Sequence, residues 1–270
     1  DFLEKTKITP ISPDIAIPIY AAIMTDTGSF KYDRTTPRVH RIAAHLLEIG
    51  VNPTDVYRQI YDESKFTFRV IYYDDCSEDG TGDFVEVYKS KFNLGDKFKI
   101  IRNKSRVGAH ENIYNAVHSC KDDEIVLIVD GDDWLARNDV LEILYNTYSD
   151  PNVWITYGQL QRYPSNEVGH CEQIPEDIIK TNSFRSYKWV SSHLRTFYAW
   201  LYKRIKIEDL KFQGKFVPVC GDVAIMFPML EMAGFHSRFI PEVLYIYNCS
   251  NPNSYWNNRQ GFRKEEKNKL

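Results

Sequence analysis

The chain lacks a paired-cysteine framework. Its five cysteines, Cys76, Cys120, Cys171, Cys220 and Cys249, are odd in number, scattered and never spaced C-x-x-C. This argues against a disulfide scaffold and a zinc site, and favours a reducing compartment. No apolar run is long enough to span a bilayer. No signal peptide is visible, although the first residue is Asp1 rather than Met. The expectation is a cytoplasmic protein without a transmembrane segment. Strong charge of one sign is also absent. The formal net charge is −3, so charge gives no support to a nucleic-acid partner. Basic residues crowd only the tail, 259–270, where Glu265 and Glu266 accompany them. A solvated end is the expectation there. Internal repeats and low-complexity stretches are absent too. What the sequence does have is 270 residues, 43% of them apolar, enough to bury a substantial core.

The pattern changes near residues 62–67. Before it the spacing is helical: Ile15 to Met24 is apolar, Val39 to Ile49 ends at Gly50 as a C-cap, and Pro53 opens a helix through Tyr61. After Phe66, strands and helices alternate. Phe68 to Tyr73, Lys99 to Arg102, Glu124 to Val129 and Val153 to Tyr157 read as strands. Helices are expected from the turn after Asp79, over His110 to Cys120, and from Asn138 to Tyr148. Phe84, Val85, Val87, Tyr88 and Phe92 give the first of these an apolar face. The order predicts an α/β fold with a mainly parallel sheet flanked by helices, preceded by a short helical N-terminal segment. The expected domains are 1–65, 66–258 and the tail 259–270. Such sheets bind ligands at the carboxyl ends of their strands.

Two acidic clusters lie at that edge. Asp130-Gly131-Asp132-Asp133 follows a fully apolar strand. Adjacent carboxylates repel unless a cation neutralises them. Hard divalent cations such as Mn2+ or Mg2+ take oxygen ligands and bridge to phosphates. The alternative is a solvated turn that caps the next helix. Asp74-Asp75-Cys76-Ser77-Glu78-Asp79-Gly80-Thr81 is the second cluster. A carboxylate at a strand end can accept hydrogen bonds from a nucleobase imide or a ribose hydroxyl.

These motifs, in this order, resemble the family-2 glycosyltransferases of the GT-A fold. Asp74 to Thr81 is similar to that family's Asp-Asp-x-Ser-x-Asp-Gly-Thr turn. Arg102 to Gly108, with Asn112 and Asn115, resembles its Asn-rich stretch before a helix. Asp130 and Asp132 match its D-x-D element, and Gly221-Asp222 fits the place of its catalytic carboxylate. The resemblance implies a nucleotide-sugar donor, most often a UDP-sugar, and a carbohydrate or other hydroxyl acceptor. It implies Asp74 and Asp75 at the base, and Asp130 at the ribose or metal. Asp132 would hold the Mn2+ or Mg2+ with Asp133 in support. Asp222 would be the general base of an inverting displacement. Arg106 would neutralise phosphate charge or lie on the surface. His193 and Arg195 would line the acceptor or diphosphate side, or belong to an aromatic core; the other histidines are read as structural or surface. The Gln-x-x-Arg-Trp signature of processive synthases is absent.

The family's opening Ile-x-Pro-x-Tyr-Asn strand does not directly precede Phe66. Ile15 to Tyr20 is only superficially similar. Residues 9–64 instead resemble part of a DHH-family phosphoesterase of the oligoribonuclease or phosphoadenosine phosphatase type. The likeness rests on Thr25-Asp26-Thr27-Gly28 and Arg34-Thr35-Thr36-Pro37. It implies Asp26 as a metal ligand, while the family's Asp-His-His is absent. Two alternatives follow: a metal-dependent phosphoesterase, and a non-catalytic nucleotide-sugar-binding or chimeric protein.

Overall fold

A computed structural model of the chain describes residues 11–57, 60, 66–218 and 221–251. The expectations for the end of the third helix and for the tail 259–270 fall outside the described residues. The chain divides into two compact units, Asp1–Phe68 and Arg69–Leu270.

The first unit is helical: α1 (Pro13–Asp26), α2 (Pro37–Glu48) and α3 (Pro53–Tyr57). Proline opens each helix, where its missing N–H costs nothing. Thr36 caps α2 by accepting from the Val39 N–H at 3.3 Å. Gly50 ends it in a left-handed conformation (φ 111°), and the N–H of Val51 returns to Leu46 O. Ala16, Tyr20 and Met24, four residues apart, bury one stripe of α1 with Ala43, Leu46, Val51 and Val56. A cavity of about 500 Å³ within this unit is lined by residues including Ile19, Ile23, Asp26 and Arg34.

The second unit is α/β. In chain order it comprises β1 (Val70–Asp74), α4 (Thr81–Lys91), β2 (Phe98–Arg102), α5 (Ala109–His118), β3 (Ile125–Leu127), β4 (Trp134–Leu135) and α6 (Val140–Tyr148). There follow β5 (Ile155–Tyr163), α7 (Glu176–Lys180), β6 (Thr196–Tyr198), α8 (Ala199–Lys203), β7 (Lys211–Phe212), β8 (Lys215–Phe216), α9 (Gly221–Ala233) and β9 (Ser237–Asn248). The main sheet runs β3-β6-β5-β9-β4, while β1-β2 and β7-β8 form separate pairs. The long registers, β5 with β9 and β1 with β2, are parallel, and the short ones are antiparallel.

The main sheet is packed on both faces. Ile155 and Tyr157 of β5 join Phe197, Met226, Met229 and Leu230 in one core. The β5–β9 register then shifts at Gly158, Gln159 and Leu160. After that irregularity Leu160 packs on the other face with Val140, Leu144, Leu244 and Tyr245. Successive side chains of β5 point to opposite faces, so Ile155 and Tyr157 serve one core and Leu160 the other.

The apolar strand read over Glu124 to Val129, which holds β3, leaves Ile125 40% and Val129 41% exposed. Among the described residues no backbone pairing joins β3 to β1, so the edge of β3 away from β6 is open. A side-chain fork bridges them instead: Arg69 donates through Nε and Nη2 to the Glu124 carboxylate at 3.1 and 2.7 Å. The apolar face of α4 is likewise uncovered. Phe84 is 68% and Val87 65% exposed, because a two-stranded pair is too narrow to bury it. Among the described residues no helix is long and apolar enough to cross a membrane.

Candidate active site

The turn at the carboxyl end of β3 is organised from β9. Tyr245 accepts a hydrogen bond from the Asp130 N–H at 3.1 Å and donates to Asp133 Oδ2 at 2.8 Å. The Asn248 N–H fills Asp133 Oδ1 at 2.7 Å. Both Asp133 oxygens are therefore taken up by β9. Burial pushes its carboxyl up to about 6, against the opposing pull of those hydrogen bonds. Its carboxylate anchors the turn to β9. Asp132 is held at one oxygen, Oδ2, which accepts from Asn251 Nδ2 at 2.7 Å.

Asp130 meets a second group of residues. His193 and Arg195 stand just before β6, whose first residue, Thr196, pairs with Leu127 at the end of β3. His193 Nε2 and Arg195 Nη2 each lie 3.9 Å from Asp130 Oδ2. Arg195 Nη1 lies 3.9 Å from Asp222 Oδ2. One guanidinium, 5% exposed, thus spans two carboxylates from distant parts of the chain. His193 stacks on Tyr245 with ring centroids 4.4 Å apart and 13° between planes. Burial, reinforced by Arg195, pushes the His193 pKa well below its ordinary value. The neutral ring can accept from Arg195 Nη2, 3.3 Å from its Nδ1. The Asp130 carboxyl is pushed up, first by desolvation and then by Asp132 and Asp222, with Arg195 opposing. Asp222 sits in the first turn of α9, with Oδ1 accepting from the Val223 N–H at 2.9 Å.

In the second acidic cluster the two adjacent carboxylates have different partners. Asp74 is 3% exposed; it accepts from the Ser77 N–H at 2.9 Å and pairs with Arg102 Nε at 3.4 Å. As the last residue of β1 it points into the protein. Asp75, one residue on, takes the opposite direction. It accepts from Asn103 Nδ2 at 2.7 Å and from the N–H groups of Val107 and Gly108 at 3.0 and 2.9 Å. Burial raises its pKa, but these hydrogen bonds outweigh it and the net direction is down. Asn103 also donates to Asn112 Oδ1 at 2.8 Å. The asparagines seen in the sequence therefore strap the 103–108 loop to Asp75. Arg106 is exposed on that loop and makes no ion pair among the described residues.

The structure thus brings Asp130, His193, Arg195 and Asp222 together and gathers Asp75 with the Arg106 loop. It also adds residues the sequence did not mark. Tyr245, Asn248 and Asn251 were not among the candidate site residues. His110 was read as structural or surface, yet it faces this cluster: the charges of Asp222, Arg195 and Asp130 act on it, and its Nδ1 is buried without a partner among the described residues. Among the described residues no group of three or more His, Cys, Asp or Glu side chains forms a ready metal cage. Asp130 and Asp132 do suit the other arrangement, in which one or two carboxylates share a hard cation with substrate phosphates.

The model of glycosyl transferase family 2 matches residues 53–211, more than half of the chain, and the chain belongs to that family. Among solved structures it is similar to S. aureus TarS 1–349 in complex with UDP, at 18% identity and a TM-score of 0.47, covering 71% of this chain and 54% of that one. It is similar to the Pyrobaculum calidifontis mannosyltransferase PcManGT in complex with GDP-Man and Mn2+, at 17% identity and a TM-score of 0.44, covering 68% and 49%. A separate likeness, 38% identity over 58 residues, is to the bifunctional oligoribonuclease and PAP phosphatase NrnA of Thermus thermophilus. It covers 22% of this chain and only 18% of that protein.

Proposed function

We propose that this glycosyltransferase moves a sugar from a UDP-sugar to an acceptor hydroxyl, carbohydrate or other, with inversion and with help from Mn2+ or Mg2+. The observation that carries this reading is Arg195 spanning Asp130 and Asp222 at the carboxyl end of β3. Asp130 and Asp132 would hold the cation, and Asp133 keeps their turn in register with β9. The cation supplies neutralisation of the leaving diphosphate. Asp75 shapes the 103–108 loop that faces the nucleotide, and Arg106 on that loop meets phosphate charge. Asp222 takes the proton from the acceptor hydroxyl. The acceptor oxygen then attacks the anomeric carbon, the bond from that carbon to the diphosphate oxygen breaks, and its electron pair leaves with UDP. Arg195 keeps Asp130 and Asp222 from repelling each other, and His193, neutral, holds its fork in place.

The direct test is UDP release from a panel of UDP-sugars. General acid–base groups contribute about 10²–10⁴-fold in rate, so Asp222→Asn should lose at least about 100-fold while UDP binding is unchanged. A normal rate in that variant would place the base elsewhere. The phosphoesterase alternative has little to stand on: Asp26 is one carboxylate beside an apolar cavity, and a two-metal centre needs several ligands.

A further inference from the structure

His110 has no role in the reading above, yet its position is tightly constrained. It lies in the first turn of α5, after Gly108 enters the helix at φ 95°. Its ring lies directly over Gly221, the first residue of α9; a β-carbon built on Gly221 would fall inside the imidazole. Gly221 is itself buried, and Asp222 follows it immediately. The ring's Nδ1 is buried and bonds to nothing among the described residues. A buried polar nitrogen without a partner is unfavourable, so this ring is not placed there for its own hydrogen bonding. The charged groups facing it are Asp222, Arg195 and Asp130, from three separate parts of the chain.

We propose that His110 is a positioning residue for Asp222: its ring, seated on the bare backbone of Gly221, sets where α9 begins and so where the Asp222 carboxylate stands against Arg195. The inference rests on Asp222 being the base. Glycine is required at 221 because any side chain would displace the ring. The shape of the contact, rather than a proton, carries the effect. The pair joins the helix after the Asp75-strapped loop to the helix of the base, so the nucleotide end and the acceptor end of the site share one contact.

The test uses the full chain, with UDP release from UDP-sugars, calorimetric UDP binding with Mn2+, and melting temperature as three separate readouts. A misplacement of about 1 Å costs on the order of 100-fold in rate, so His110→Ala and Gly221→Ala should each lower kcat by about that factor. UDP affinity should stay within about twofold. The double variant should be no slower than His110→Ala alone, because the added methyl enters the space the ring leaves. In an Asp222→Asn background, His110→Ala should cost nothing further. Losses of UDP affinity and melting temperature that match the loss of rate would show a merely structural residue and overturn the proposal. So would a normal kcat in His110→Ala with Asp222→Asn inactive. A normal rate in Asp222→Asn would instead remove the base assignment itself, and this inference with it.

Discussion

Asp133 gives a pH dependence whose size follows from its surroundings. Its carboxyl is raised from 3.8 to about 6 in the folded chain, chiefly by burial. Between those values the folded protein holds a proton that the unfolded chain has released. Stability therefore falls as pH rises through this window. At about 1.4 kcal/mol per pH unit, the fall attributable to Asp133 between pH 4 and pH 7 is about 2–3 kcal/mol. Asp133→Asn removes the titration and keeps the shape: its amide oxygen can accept from the Asn248 N–H, and its amide can face the Tyr245 hydroxyl. The assay is urea denaturation followed by tryptophan emission. All five tryptophans lie in the Arg69–Leu270 unit, so the signal reports the part that holds the site. The wild-type protein should lose about 2–3 kcal/mol relative to the variant across that range. Parallel curves for the two proteins would refute the burial argument for Asp133.

Other consequences are equally concrete. Arg195→Met leaves Asp130 and Asp222 without their shared cation. Removing one partner of a buried pair costs about 3–5 kcal/mol; the lower end applies here because the Asp130 side chain is 43% accessible. Added Mn2+ should recover part of the loss, and a variant as stable as wild type in urea would remove Arg195 from this role. Gly82→Ala puts a methyl against the Asp74 carboxylate and the Arg102 guanidinium. Overpacking of this kind costs about 1–3 kcal/mol. Thermal unfolding should show it, and an unchanged melting temperature would mean that the β1–β2 pair repacks freely.

Much of the chain could be read from residue order. The apolar strands followed by acidic turns gave β1 and β3 their places, the apolar run before Asn103 gave β2 its own, and the proline and glycine punctuation of the first unit marked α1, α2 and α3. Asp130 and Asp222 were also legible as motif residues and Arg195 as a candidate beside them, although nothing in their spacing told that one guanidinium would span two carboxylates 92 residues apart in the chain. What could not be read is set by long-range pairing. Tyr245 looks like any alternating residue of a strand; only the β9 register against β4 and β5 brings its hydroxyl to the Asp130 turn. The same holds for Asp74 and Asp75. Two adjacent carboxylates read alike in sequence, but the pleat of β1 sends one to Arg102 and the other to the 103–108 loop. His110 was hidden for a related reason, since a helical histidine shows nothing of the glycine it will meet 111 residues later. The exposure of β3 also escaped, because an apolar run marks a strand fit for burial without supplying its neighbour.

The central claim is a cation-assisted nucleotide-sugar site at the Asp130 turn. Its most direct test is calorimetric titration of UDP into the wild-type protein and Asp132→Asn, each with and without Mn2+. The account predicts UDP binding that needs Mn2+ in the wild-type protein and is lost in Asp132→Asn, with both proteins equally folded. UDP binding that ignores Mn2+, or that survives unchanged in Asp132→Asn, would contradict it.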